Sequence, residues 1–143
     1  MTTWGPPRAS IEAECARRGR DAVVDGCRAL LRGEEVDHAL VVALGGPAAS
    51  AYEPGMPPRD DVYWLRVWAA RGLLWAYLPQ ALPELGQATY DEHWRVREMA
   101  LKVVARHRVD ELLDDALRLR DDDVARVRAA ASRAVASLTA CLI

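Results

Sequence analysis

DEHWRVREMALKVV, residues 91–104, places an aspartate ahead of an apolar-patterned segment, with arginine six positions on and alanine three beyond that. Shifted by 31 residues in either direction, the same order returns. Asp60, Asp91 and Asp122 fall in register, as do Leu65, Val96 and Val127. Arg66, Arg97 and Arg128 form a third column, Ala69, Ala100 and Ala131 a fourth, and Leu73, Val104 and Val135 a fifth. The shorter segments between them keep the same offset, pairing Ala81 with Leu112, Leu82 with Leu113, Leu85 with Ala116 and Ala88 with Leu119. One such column is within reach of chance in a chain rich in Ala and Arg; seven or more in phase mark a repeat.

A lone helical hairpin has an apolar face it cannot bury, and stacking equivalent hairpins buries each against the next. The Ala69, Ala100 and Ala131 column lets neighbouring helices approach closely. An aspartate ahead of a helix is stabilised by the amides of the first turn. The arginine six residues later is placed to reach the aspartate of an adjacent repeat, which predicts a ladder of ion pairs along the stack. The pattern D-x-x-W-R-V-R-x-x-A-x-x-x-V at Asp91–Val104, with its relatives at Asp60 and Asp122, resembles the second helix of HEAT repeats. It is especially similar to the short bacterial variety also found in phycobilin-lyase-like proteins, and the resemblance covers Asp60–Leu138. What it implies is an all-α fold: a right-handed α-α superhelix of stacked antiparallel helical hairpins, about seven or eight helices in a single domain over residues 1–143. It implies no particular chemistry, because such folds serve scaffolds, adaptors, lyases and DNA-repair proteins.

Helices are expected at about Asp61–Tyr77, Glu92–Arg106 and Asp123–Leu138, with shorter ones at about Pro79–Ala88 and Val109–Leu119. Pro79 suits a first helical turn, and Pro83 is expected to split that short helix or shift its start. Ahead of the regular repeats of residues 60–138, residues 1–9 read as a loose arm. Ser10 reads as the cap of a helix ending near Arg18–Gly19. Asp21–Arg32 carries an apolar stripe, and Val36–Leu44 is apolar nearly all round, so that it needs cover. Gly19–Gly46 reads as one further, divergent hairpin. GGPAASAYEPGMPPR, residues 45–59, reads as a long connecting loop.

A chain of 143 residues is long enough for one core, and its net charge of −2 gives no global pull on nucleic acid or acidic lipid. Cys15, Cys27 and Cys141 are too scattered for a disulfide framework or a thiolate metal site, and read as reduced thiols of a cytoplasmic protein. The opening MTTWGPPRAS lacks the apolar core of an export signal, and no apolar run approaches the roughly 20 residues of a membrane span. The glycines make no nucleotide-binding pattern, His38, His93 and His107 lie far apart in sequence, and Asp121–Asp123 reads as a turn and cap cluster rather than a calcium loop. No catalytic residue, cofactor or metal is expected, and a lyase-like enzyme is the least favoured reading.

The long helices share a second face. Trp64, Trp68 and Trp75 align on the first of them; their equivalents are Arg95, Met99 and Arg106, then Arg126, Ala130 and Ser137. Beside them runs the column Arg71, Lys102 and Arg133. By the HEAT resemblance this face lines the concave side. The candidate binding surface is therefore Trp64, Trp68, Arg71, Trp75, Arg95, Lys102, Arg106, Arg126 and Arg133. An aromatic and basic strip suits a scaffold or adaptor that holds a protein or peptide, or alternatively a nucleic-acid binder resembling HEAT-like DNA glycosylases. The competing structural reading has the tryptophans covering the N-terminal helices and the basic column merely solvated. The apolar SLTACLI at the C-terminal end is expected to fold back or to meet a second copy in a homodimer.

Overall fold

The computed structural model describes residues 6–52 and 60–140, and all regular structure among them is helical. The helices are α1 (Pro7–Arg18), α2 (Arg20–Leu31), α3 (His38–Gly45), α4 (Tyr63–Ala76), α5 (Leu82–Ala88), α6 (Trp94–His107), α7 (Leu113–Leu119) and α8 (Ala125–Thr139). Short 3-10 turns occupy Pro47–Ala51, Pro79–Ala81 and Asp110–Leu112. Eight helices and no strand among the described residues make this an all-α protein. From α4 onward the starts recur 31 residues apart: Tyr63, Trp94 and Ala125 open the long helices, Leu82 and Leu113 the short ones, Pro79 and Asp110 the turns.

Local chemistry explains the boundaries. Pro79 and Pro83 each stand in a first turn, one of the 3-10 turn and one of α5, where a missing N–H breaks nothing. Asp37 caps α3, its carboxylate accepting the Leu40 N–H at 2.9 Å. Asp91 and Asp122 act two residues before the cap instead, accepting the N–H of His93 and of Val124, each at 2.9 Å. These are Asx turns that aim the chain into the helix. Ser10 is not a cap: α1 begins at Pro7, three residues inside the expected arm, and the Ser10 hydroxyl donates to the Ala43 carbonyl at 2.8 Å. The remainder of that arm, residues 1–5, lies outside the described residues, as do 53–59 of the expected loop and Cys141–Ile143, the last three residues of the SLTACLI segment on which the homodimer expectation rests.

The long helices α4, α6 and α8 pack side by side, and α5 and α7 back onto α6 and α8. The helix that backs α4 is α2, not a neighbour in sequence. This corrects the expected Gly19–Gly46 hairpin: α2 takes the place of a short helix, α4 that of its long partner, and the chain between them makes an excursion through α3. Arg28 and Arg32 tie α2 to α5 by holding Glu84 at 2.8 and 3.0 Å. The core runs continuously from Ile11, Val23, Val24 and Cys27 through Leu73 and Leu85 to Val104, Val127 and Ala134, all of them fully buried. Helices α1 and α3 lie against α4 on the side that α2 leaves open.

Candidate functional site

The repeat residues set the spacing of the long helices. Arg66 grips Asp91 through two hydrogen bonds of 2.7 and 3.2 Å, and Arg97 grips Asp122 through two of 2.9 and 3.1 Å. Each arginine thus joins its own helix to the turn that opens the next. Arg97 also donates to the Asp91 carbonyl at 2.8 Å, and Arg128 repeats that bond to the Asp122 carbonyl at 2.7 Å. Asp60, which no repeat arginine precedes, is exposed. Burial works to raise the Asp122 carboxyl, but the Arg97 guanidinium and the Val124 N–H outweigh it and hold it below its ordinary value.

His93 opens α6 in an unusual way. Its ring Nδ1 accepts the Arg95 N–H at 3.2 Å, and the ring lies flat on Tyr63 with centroids 3.5 Å apart. Burial, then the nearby Arg95 charge, push the imidazole below its ordinary value against a smaller opposing pull from Asp91. The cap needs the neutral ring, so its contribution is whole above the unfolded-state value near 6.5 and is lost as pH falls through the lower folded value. His93→Ala is expected to cost about 1 kcal/mol at pH 7.5 and to remove that part of the acid sensitivity, read by urea unfolding across pH 7.5 to 5.

On the shared face of the long helices, α4 differs from α6 and α8. Trp68 is only 6% exposed: Tyr52 meets its ring edge-on at 5.3 Å, and it lies under Gly45 and Ala49. Arg71 is turned inward to donate to the Leu44 carbonyl at 2.6 Å, at the negative end of α3. Both belong to the joint between α4 and the N-terminal helices, a correction to their expected place on a binding surface. The short apolar α3 needed cover, and α4 supplies it. Trp64 and Trp75, half-buried, mark the two ends of this covered strip.

At the helix starts, Arg95 lies over the rings of Trp64 and Trp94, at 5.3 and 4.5 Å. Arg126 also approaches the Trp94 ring, at 5.2 Å, while its guanidinium holds Glu98 through bonds of 2.9 and 3.2 Å. Glu98 is 7% exposed, so the Arg126 charge is largely neutralised from beneath. At the helix ends the surface dips into a depression of about 450 Å³, lined by Leu74, Trp75, Leu101, Lys102, Ala105, Arg106, Ala130 and Arg133. Two cations approach the Trp75 ring, Arg106 at 4.4 Å and Arg8 at 5.0 Å. The structure therefore gathers Trp75, Lys102, Arg106 and Arg133 into one site and leaves Trp64, Arg95 and Arg126 as a separate cluster about two helical turns away.

The floor residues Leu74, Leu101, Ala105 and Ala130 were not singled out as a site. One signal for them exists in the column Trp68, Met99, Ala130, which loses bulk along the repeats: at its third member a methyl stands where α4 has an indole. Among the described residues, no carboxylate pairs with Lys102, Arg106 or Arg133, and no three His, Cys, Asp or Glu side chains converge as a metal would require. The Cys27 thiol is fully buried, and burial pushes it well above its ordinary value, which leaves it unsuited to attack. No protein-family model, curated protein or solved structure matches the chain.

Proposed function

We propose that the protein is a HEAT-like repeat scaffold, without enzymatic activity, that acts in the cytoplasm and binds an acidic segment of a partner protein in the depression between α4, α6 and α8. One observation carries this reading: Lys102, Arg106 and Arg133 line the same apolar-floored depression, and among the described residues no carboxylate meets them. The buried carboxylates, by contrast, are all met from within the protein. The buried Glu14, Glu84 and Glu98 each hold arginines. An extended segment that sets an aliphatic side chain on Leu101 and Ala130, and carboxylates at the rim, satisfies both halves of the site. In such a site the floor and Trp75 supply affinity, while the rim cations supply approach rate and choice of partner.

The test is fluorescence anisotropy with a labelled ten-residue peptide alternating Leu and Glu, its Leu–Lys counterpart, and a labelled oligothymidylate. The acidic peptide should bind and the basic one should not. Reversing two charges, Lys102→Glu with Arg133→Glu, should weaken the acidic peptide at least about tenfold, worth about 1.4 kcal/mol, with the melting temperature little changed. Equal binding of both peptides would overturn the reading. Preference for the oligonucleotide, with affinity falling steeply as salt is added, would replace the peptide with nucleic acid.

A further inference from the structure

We infer that the depression is built to read a single phosphorylated side chain on that partner segment, rather than a run of carboxylates. This rests on the peptide-binding reading above and adds the class of group recognised. Lys102 and Arg106 stand one turn apart on α6, and Arg133 occupies on α8 the position that Lys102 occupies on α6, so three positive side chains border one hollow. A carboxylate brings one negative charge to such a cluster. A phosphate monoester brings between one and a half and two, with three acceptor oxygens, and suits guanidinium forks that bind two oxygens at once.

The positive charge is a focus and not a track. Moving back along the row, Arg71 is half-buried and drawn onto the Leu44 carbonyl. Moving forward, the α8 equivalent of Arg106 is Ser137, whose hydroxyl donates to the Ala105 carbonyl at 2.7 Å. Towards the helix starts, Arg126 is neutralised by Glu98, and Arg95 lies against two indole rings about 10 Å along the helix axis from Lys102. A nucleic-acid backbone spreads single charges at regular intervals and calls for a continuous basic path. One dianion beside one apolar floor matches what is present: the floor of Leu74, Leu101, Ala105 and Ala130 takes the neighbouring side chain, and Trp75, in contact with Arg8 and Arg106, forms one wall.

The experiment compares three labelled peptides identical except at a central serine, glutamate or phosphoserine, flanked by leucines, with the Leu–Glu peptide and the oligothymidylate as references. The phosphoserine peptide should bind at least about tenfold more tightly than the glutamate peptide, and the serine peptide should bind weakest. Lys102→Gln with Arg133→Gln should bring the phosphoserine peptide to the level of the glutamate one. If glutamate and phosphoserine peptides bind alike, or only the Leu–Glu peptide binds, the phosphate inference fails and the scaffold reading stands. If no peptide binds, both fail. A gain from phosphate that survives the double substitution would place the recognised group elsewhere on the protein and overturn the inference for this depression.

Discussion

Gly72→Ala is expected to lower the stability of the protein by about 1–3 kcal/mol, although alanine favours helix over glycine by about 1 kcal/mol. A methyl at this position would stand 2.6 Å from the Cys27 sulfur and 2.7 Å from Leu44 Cδ2. Both neighbours are fully buried, one on α2 and one on α3, so neither side chain has room to retreat. In the next two repeats the same position holds Val103 and Ala134, each fully buried without difficulty. The difference is α3, which packs on α4 and closes the space a side chain would use. Leu44→Ala costs stability by itself through lost burial, but combined with Gly72→Ala it should restore part of what the single glycine substitution loses. Urea midpoints for the two single variants and the double variant would show this. A Gly72→Ala protein as stable as the parent would mean that α2, α3 and α4 do not converge there.

The same crowding explains why the two halves of the chain were unequally legible. After Asp60 each helix packs on a neighbour in sequence, so the offset of 31 residues carries both the elements and their contacts. Before it, the helix that completes α4 is α2, separated from it by α3 and the excursion that follows. The pattern Val23, Val24, Cys27 and Leu30 identified α2 as a short-helix equivalent, yet a stripe says which face is buried and not which helix buries it. Ser10 read as the cap of α1, yet the helix starts at Pro7, inside the expected arm. Proline prevailed because its ring pre-sets the first turn, which freed the serine hydroxyl to reach Ala43.

The candidate site was legible as columns, but the members of one column do not share one environment. Counting at 100° per residue places Trp68, Met99 and Ala130 on one row, but it cannot tell that α3 and Tyr52 cover the first of them. The charges of that row divide for a similar reason. Arg126 looked equivalent to any other basic residue until Glu98, one repeat earlier and buried, proved to lie beneath it. Lys102, Arg106 and Arg133 have no such acid among the described residues, an absence that spacing alone does not display.

Arg97→Ala is expected to cost about 2–4 kcal/mol, the largest loss of any single charged side chain on the long helices. Arg97 is the one repeat arginine whose helix has a long helix on either side, and it joins the turn before α6 to the turn before α8 through Asp91, Glu92 and Asp122. Removing it strands the Asp122 carboxylate, whose side chain is only 9% exposed, and leaves the Asp91 carbonyl without that donor. Lysine should recover less than half the loss, since one ammonium cannot span two carboxylate oxygens and a carbonyl in a plane. Arg128→Ala, which faces no following aspartate, should cost under about 1 kcal/mol and serves as the control. The pH dependence separates an ion pair from simple loss of packing. Asp122 is held below its ordinary value in the folded protein, so its contribution is complete above the unfolded-state value near 4 and disappears as pH falls through the folded value. The parent and Arg97→Ala should therefore differ most at neutral pH, and the gap should narrow below pH 4. A gap that stays constant from pH 7 to pH 3 would show that Arg97 acts through its aliphatic stem, and the ladder would then be a consequence of the stacking rather than one of its causes.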